Sequence, residues 1–210
     1  MTFVVFWFFY IKEMIFLTIE EIRQAIIDDP ENQSFTDKGW IPVFQAYPES
    51  KIVIIGQAPG IRTQEKGQVF RDKSGDKLRQ WMGISESIFY DSKQISVLPI
   101  DFYFPGKGKH GDLPPRKDFA SKWHPQILEC LPNVELFILM GAYAQKYYLK
   151  SKVKKTLTET VFSYEEYLPT FFPIVHSSPL NFRWFAKNPD FEKLIVPKLQ
   201  ERVKSIIKNT

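Results

Sequence analysis

Residues 52–60 read Ile52-Val53-Ile54-Ile55-Gly56-Gln57-Ala58-Pro59-Gly60. Four consecutive β-branched residues describe a strand buried on both faces, because a sheet wet on one face would alternate apolar with polar side chains. At Gly56 the pattern changes abruptly. Two glycines permit close backbone approach and Pro59 stiffens the turn, so backbone amides here can face a ligand carbonyl or phosphate. Three further short apolar runs follow, at residues 95–100, Leu136–Met140 and residues 171–175, with helical patterns between and after them at 75–82, 116–131, 142–150 and 190–207. Strands alternating with helices imply the α/β class, with a parallel sheet covered on both faces.

Right-handed crossovers place every strand-to-helix loop at the carboxyl edge of such a sheet, where open α/β sheets bind their ligands. Residues 56–73, 101–115 and 176–188, which follow the first, second and fourth strands, should therefore converge. The lysine run 146–155 follows a helix returning from that edge and reads as a solvated connection at the opposite end. Upstream, Thr18 and Glu21 form a capping-box pattern before Ile22, Ala25, Ile26 and Ile27, which predicts a helix ending by Pro30. The stretch to Pro48 reads as loop, held down by Phe35, Trp40, Phe44 and Tyr47.

The chain has 210 residues, 44% hydrophobic and 25% charged, which suits one globular domain. Its 16% aromatic content is partly due to residues 2–10, TFVVFWFFY. That run is too short to span a bilayer, which takes about 20 apolar residues. Residues 1–13 are expected to be an apolar extension upstream of an alternative start at Met14, leaving 14–210 as a single domain. One cysteine, Cys130, and three histidines, His110, His124 and His176, cannot form an intramolecular disulfide, a four-cysteine cluster or a zinc knuckle. No metal or cofactor is expected, and a reduced, cytoplasmic setting is. A net charge of +4 permits a polyanionic partner without requiring one.

Two other loops carry chemistry. His176-Ser177-Ser178-Pro179-Leu180-Asn181-Phe182-Arg183-Trp184 puts a histidine at the end of a buried strand, where its imidazole can donate to a developing anion in a desolvated pocket. The second loop has Asp101 at a strand end and a tip of alternating glycine and lysine, with Lys107 and Lys109 suited to a phosphate backbone. The first loop is neither a Walker A motif nor a GxGxxG fingerprint. His124, inside a predicted helix, reads as structural, and Cys130 has no evident partner.

Gly-Gln-Ala-Pro-Gly after the first strand, with His-Ser-Ser-Pro-Leu-Asn after the last, resembles the uracil-DNA glycosylase superfamily over residues 52–184. The resemblance implies a three-layer α/β/α sandwich around a central, mostly parallel four-stranded sheet. It implies hydrolysis of the N-glycosidic bond of uracil or another deaminated base in DNA, as in base excision repair. Gly56, Gln57, Ala58, Pro59 and Gly60 then resemble the water-activating and backbone-binding loop, and Phe70 the phenylalanine on which a flipped base stacks. Asp101 lies near the position that reads the pyrimidine edge. His176 is similar to the histidine that hydrogen-bonds the leaving base, and Leu180 to the wedge that replaces it in the duplex. Ser177, Ser178, Pro179, Asn181 and Arg183, with Lys107 and Lys109, are expected at the DNA. The water falls to Gln57, Glu65 or Asp101. A monomer without membrane association is implied.

This chain departs from the family pattern at three positions. Ala58 stands where the best-studied branch has aspartate and another has asparagine. Branches that share the alanine carry an iron–sulfur cluster that one cysteine cannot hold, and here Gln57 replaces a glutamate found in one of them. Ser177 stands where proline is common. Two alternatives to the enzyme therefore stay open: a module that binds damaged bases or nucleic acid without turnover, and a hydrolase acting on free nucleosides.

Overall fold

The computed structural model describes residues 17–109 and 111–207. The extension expected over residues 1–13 lies outside them. Helix α1 (Ile19–Asp28) opens on the anticipated capping box: the Glu21 N–H donates to the Thr18 hydroxyl at 3.2 Å, and the Thr18 N–H donates to the Glu21 carboxylate at 2.7 Å. Both bonds occupy donors that a helix start otherwise leaves to water. A turn at Pro30 leads into α2 (Gln33–Thr36).

Next in the chain come β1 (Ile52–Ile55), α3 (Ile61–Lys66), α4 (Lys73–Met82), α5 (Glu86–Tyr90) and β2 (Ile95–Val97). A small antiparallel hairpin follows, β3 (Lys107–Gly108) with β4 (Gly111–Asp112), then α6 (Phe119–Glu129), β5 (Leu136–Met140), α7 (Ala142–Leu149) and α8 (Leu157–Phe162). The chain closes with β6 (Phe171–Ile174), α9 (Phe182–Lys187) and α10 (Val196–Ile206). The central sheet has the order β2-β1-β5-β6 with every neighbouring pair parallel.

Its two faces feed separate cores. Ile52 and Ile54 of β1, Leu136 and Ile138 of β5 and Phe172 and Ile174 of β6 meet Leu78 and Trp81 of α4 and Leu199 and Val203 of α10. Val53, Ile55 and Leu139 point the other way, onto Ile22 and Ile26 of α1, Trp123 and Ile127 of α6 and Ala144 of α7. Each fully buried aliphatic side chain contributes about 2 kcal/mol relative to exposure. The alternation within an all-apolar strand thus builds a three-layer α/β/α sandwich.

Some details differ from the sequence expectation. The second apolar run is strand only to Val97, and the stretch before Pro48 is not plain loop: Gln45 and Val97 exchange backbone hydrogen bonds at 3.0 and 2.7 Å, antiparallel to β2, covering that edge. At the other edge, β6 accommodates Pro173, whose missing N–H is tolerated where only one side of the strand is paired. The expected loop segments hold the short helices α3 and α9, and α8 lies between the lysine run and β6. Within that run Lys154 pairs with Glu166 at 2.5 Å. Among the described residues, no helix is long and apolar enough to cross a membrane.

His124 is structural, as its helical position suggested. It is 1% exposed within α6, with Nε2 2.9 Å from the Pro99 carbonyl and Nδ1 2.7 Å from the Tyr148 hydroxyl. A carbonyl can only accept, so Nε2 carries the proton and Nδ1 accepts from Tyr148. Burial pulls the imidazole pKa down from 6.5 to about 4, against a smaller opposing effect of the Pro99 bond. Because the folded pKa is depressed, the unfolded chain takes up this proton first as the pH falls. The stabilising effect is complete above pH 6.5 and is lost progressively down to about pH 4. Urea titrations across that window should show up to ~3 kcal/mol of stability lost through this group. His124→Gln should have a visibly flatter pH dependence; an unchanged slope would contradict the assignment.

Candidate functional site

The loops leaving β1 and β2 stay paired after the strands end. Leu98 donates its N–H to the Ile54 carbonyl at 2.9 Å, Ile100 to Gly56 at 2.9 Å and Asp101 to Gln57 at 3.1 Å. Gly56 and Pro59 are buried by this arrangement, while Gln57, Ala58 and Gly60 are half-buried at the sheet's carboxyl edge. After β1 the chain turns toward the α4/α10 face, whereas after β5 it turns toward the α1/α6 face. The crevice between β1 and β5 is therefore a topological switch point, the usual ligand position in such folds. Gly141, directly after β5, has φ +85°, and a Cβ there would meet nothing within 4 Å. It makes an open floor between the first motif and His176, which follow strands two spacings apart, about 10 Å.

Asp101 is closed off from substrate. It is fully buried, and both its oxygens are held by Arg116: Nε to Oδ2 at 2.7 Å and Nη2 to Oδ1 at 2.8 Å. The backbone N–H groups of Tyr103 and Arg116 occupy the remaining lone pairs at 3.1 and 3.2 Å. Four donors fill a carboxylate's acceptor capacity, which leaves none for water or a pyrimidine edge. Arg116 also donates to the Asn32 side chain at 2.7 Å, so the pair ties the second loop to the N-terminal helices. Glu65 is exposed on α3. Its neighbour Gln64, which the sequence does not single out, is 3% exposed; it donates to the Ile41 carbonyl and accepts from the Phe104 N–H, both at 2.8 Å.

Phe70 adopts φ +52° in the turn before α4. That turn lies so close to the helix that a Cβ on Gly75 would stand 1.7 Å from the Phe70 carbonyl oxygen, a distance only glycine allows. Asp72 caps α4, accepting from the Gly75 N–H at 3.0 Å. The loop after β6 docks here. Ser177 is 1% exposed and its hydroxyl donates to the Ser74 carbonyl at 2.8 Å. That commits the hydroxyl to holding the loop rather than to a phosphate.

His176 is half-buried beside these groups. The Ser178 N–H donates to its Nδ1 at 3.0 Å. An N–H facing Nδ1 requires a lone pair there, so the ring is neutral with its proton on Nε2. Burial lowers its pKa, with the Asp72 carboxylate pulling the other way. The Asn181 side chain donates to the His176 carbonyl at 2.8 Å and the Ser178 hydroxyl accepts from the Leu180 N–H at 3.2 Å, which together shape the tip. Pro179 and Arg183 are exposed, and Leu180 is 85% exposed. On the hairpin, Lys109 is exposed and Lys107 bonds Asp112 at 2.8 Å.

Among the described residues, no group of three or more His, Cys, Asp or Glu side chains is placed to hold a metal ion. A family model, Uracil DNA glycosylase superfamily, matches residues 44–200. A solution NMR structure of a protein from Methanosarcina acetivorans, provisionally described as a uracil DNA glycosylase, covers 75% of this chain and 93% of its own, with 17% identity and a TM-score of 0.45.

Asp101→Asn should destabilise the fold by ~3 kcal/mol, because it leaves the Arg116 guanidinium without its counter-charge. Urea unfolding measures this directly. A variant of wild-type stability would return Asp101 to the list of groups free to act on substrate.

Proposed function

The chain belongs to the uracil DNA glycosylase superfamily, and on that premise we propose that it is a DNA N-glycosylase acting on uracil or another deaminated base. The observation that carries the proposal is the hydrogen bond from the Ser178 N–H to Nδ1 of His176. With Nδ1 so engaged, Nε2–H is the donor available at the carboxyl edge. The target nucleotide first leaves the stack, at a cost of a few kcal/mol. Phe70 receives the flipped base face-on while the backbone of Gly56–Gly60 lines the pocket. The bond between the sugar and the base nitrogen then breaks, its electron pair stays with the base, and negative charge spreads to the adjacent carbonyl oxygen. Nε2–H of His176 stabilises that oxygen. Water adds to the sugar cation, and its proton passes to the departed base anion, which leaves as the neutral base.

Gln57, half-buried in the first motif, and Asp72, beside His176, are the groups assigned to orient that water and balance the cation. Asp101 and Glu65 are left out, the first because its lone pairs are spent and the second because α3 carries it outward. Lys107, Lys109, Ser178, Pro179, Leu180, Asn181 and Arg183 form the proposed DNA surface, with Leu180 as the wedge. The setting proposed is a monomer in the cytoplasm with DNA as partner. Ala58 favours a second reading, a binding module of the same architecture, because the motif itself supplies no carboxylate.

Release of base from single- and double-stranded oligonucleotides carrying uracil, hypoxanthine or xanthine decides between them. His176→Ala should lower the rate by about 10²–10³-fold, the usual effect of removing a donor to a developing anion. Salt-dependent binding without release would favour the binding module, and turnover of free deoxyuridine alone would point to a nucleoside hydrolase. Since burial lowers the His176 pKa, the acid limb of kcat/KM should fall below the ordinary imidazole range. Asp72→Asn should push that limb lower still, because the aspartate raises this pKa.

A further inference from the structure

The conformation of Phe70 is held by groups to which no role has yet been given. A non-glycine residue at φ +52° keeps that backbone only where its surroundings enforce it. Two consecutive carbonyls of the turn are gripped. The Tyr90 hydroxyl donates to the Val69 carbonyl at 3.0 Å, and Arg79 Nη1 donates to the Phe70 carbonyl at 3.2 Å. The same Nη1 lies 3.2 Å from the Tyr90 oxygen, which accepts from it and closes a triangle of hydrogen bonds. Arg79 is 7% exposed and paired with Asp76 at 2.5 Å, which fixes the guanidinium in place. Arg71 stacks over the Tyr90 ring at 3.7 Å and pairs with Glu86 of α5. The Phe70 ring meets Phe89 edge-on, with centroids 6.3 Å apart.

We infer that Tyr90 and Arg79 are positioning residues that hold the Val69–Phe70 turn and so set the ring on which the target base stacks. The inference rests on the stacking role proposed for Phe70. The hydrogen bonds account for Phe70 keeping an otherwise disfavoured backbone angle, and the glycine at position 75 accounts for the room in which it does so. With the clamp released, the turn can relax to negative φ and swing the ring out of register with the pocket.

Tyr90→Phe tests this, since it removes one hydroxyl and leaves the ring, Arg71 and Phe89 in place. Amide hydrogen exchange of residues 67–73 in the free protein should speed up about tenfold, as expected for one lost net hydrogen bond. The thermal midpoint should fall by no more than about 2–4 °C, the usual effect of one hydrogen bond in a domain of this size. On a uracil-containing oligonucleotide, kcat/KM should fall roughly tenfold by the same measure. The fall should nearly vanish when Tyr90→Phe is added to Phe70→Ala, because the two changes act through one ring. Arg79→Gln should shift exchange in the same direction. Unchanged exchange in Tyr90→Phe, or costs that multiply in the double variant, would overturn the clamp. If Phe70→Ala alone leaves kcat/KM intact, the stacking role fails, and exchange at 67–73 still judges the clamp by itself.

Discussion

The backbone pairing of β1 with its two neighbours is the constraint from which the rest follows. Its register matches Ile52 with Ile95 on one side and with Leu136 on the other. Because side chains alternate along a strand, a slip of one residue would exchange the two core faces, turning Val53 and Ile55 toward α4 and α10. Four apolar residues in a row do not by themselves forbid that slip. What forbids it is that the same ladder runs on through Gly56 and Gln57, whose carbonyls are taken by Ile100 and Asp101. The height of the first motif above the sheet and the register of the core are one quantity.

Buried polar groups near the carboxyl edge are almost all used to hold loops. Asp101 grips Arg116, Gln64 bridges two backbone segments, and Ser177 docks the last loop on α4. Each is satisfied, as burial demands, since an unpaired polar group in such a place costs about 1–3 kcal/mol. Among the described residues, Nε2 of His176, the side chain of Gln57 and the outer face of Asp72 are among the polar groups at this edge with capacity left for a ligand. Spent groups thus brace the loops that carry the unspent ones, an order suited to holding a bound ligand in place.

The large elements were legible because each has a local cause. β-branched runs, the Thr18–Glu21 pair and the alternation of strand with helix are all read within a few residues. The residues whose surroundings the sequence does not show depend on distant partners. Ser177 and Ser178 look alike in sequence, yet one meets the Ser74 carbonyl 103 positions away and is buried, while the other is only half-buried. Asp101 looked reactive because Arg116 sits beyond a hairpin that separates them in the chain. Asp72, which nothing in the sequence singles out, caps α4, and its proximity to His176 arises only when the last loop folds onto α4. The edge segment around Gln45 carries no strand pattern of its own and is ordered by β2.

Ala58 can be weighed in that light. If the first motif had to activate water through its own side chain, an alanine there would leave the site without its central group. Cleavage that runs through a sugar cation asks less of the water and more of whatever stabilises the departing base, because most of the charge separation precedes attack. The electrostatic contribution then lies with a preorganised donor, and His176 is preorganised by a backbone N–H rather than by a flexible partner. Burial and Asp72 act on its pKa in opposite directions. The first favours the neutral donor, and the second places a negative charge beside it. On the proposed reading, Ala58 leaves the motif without a water-positioning carboxylate while the His176 donor stays in place.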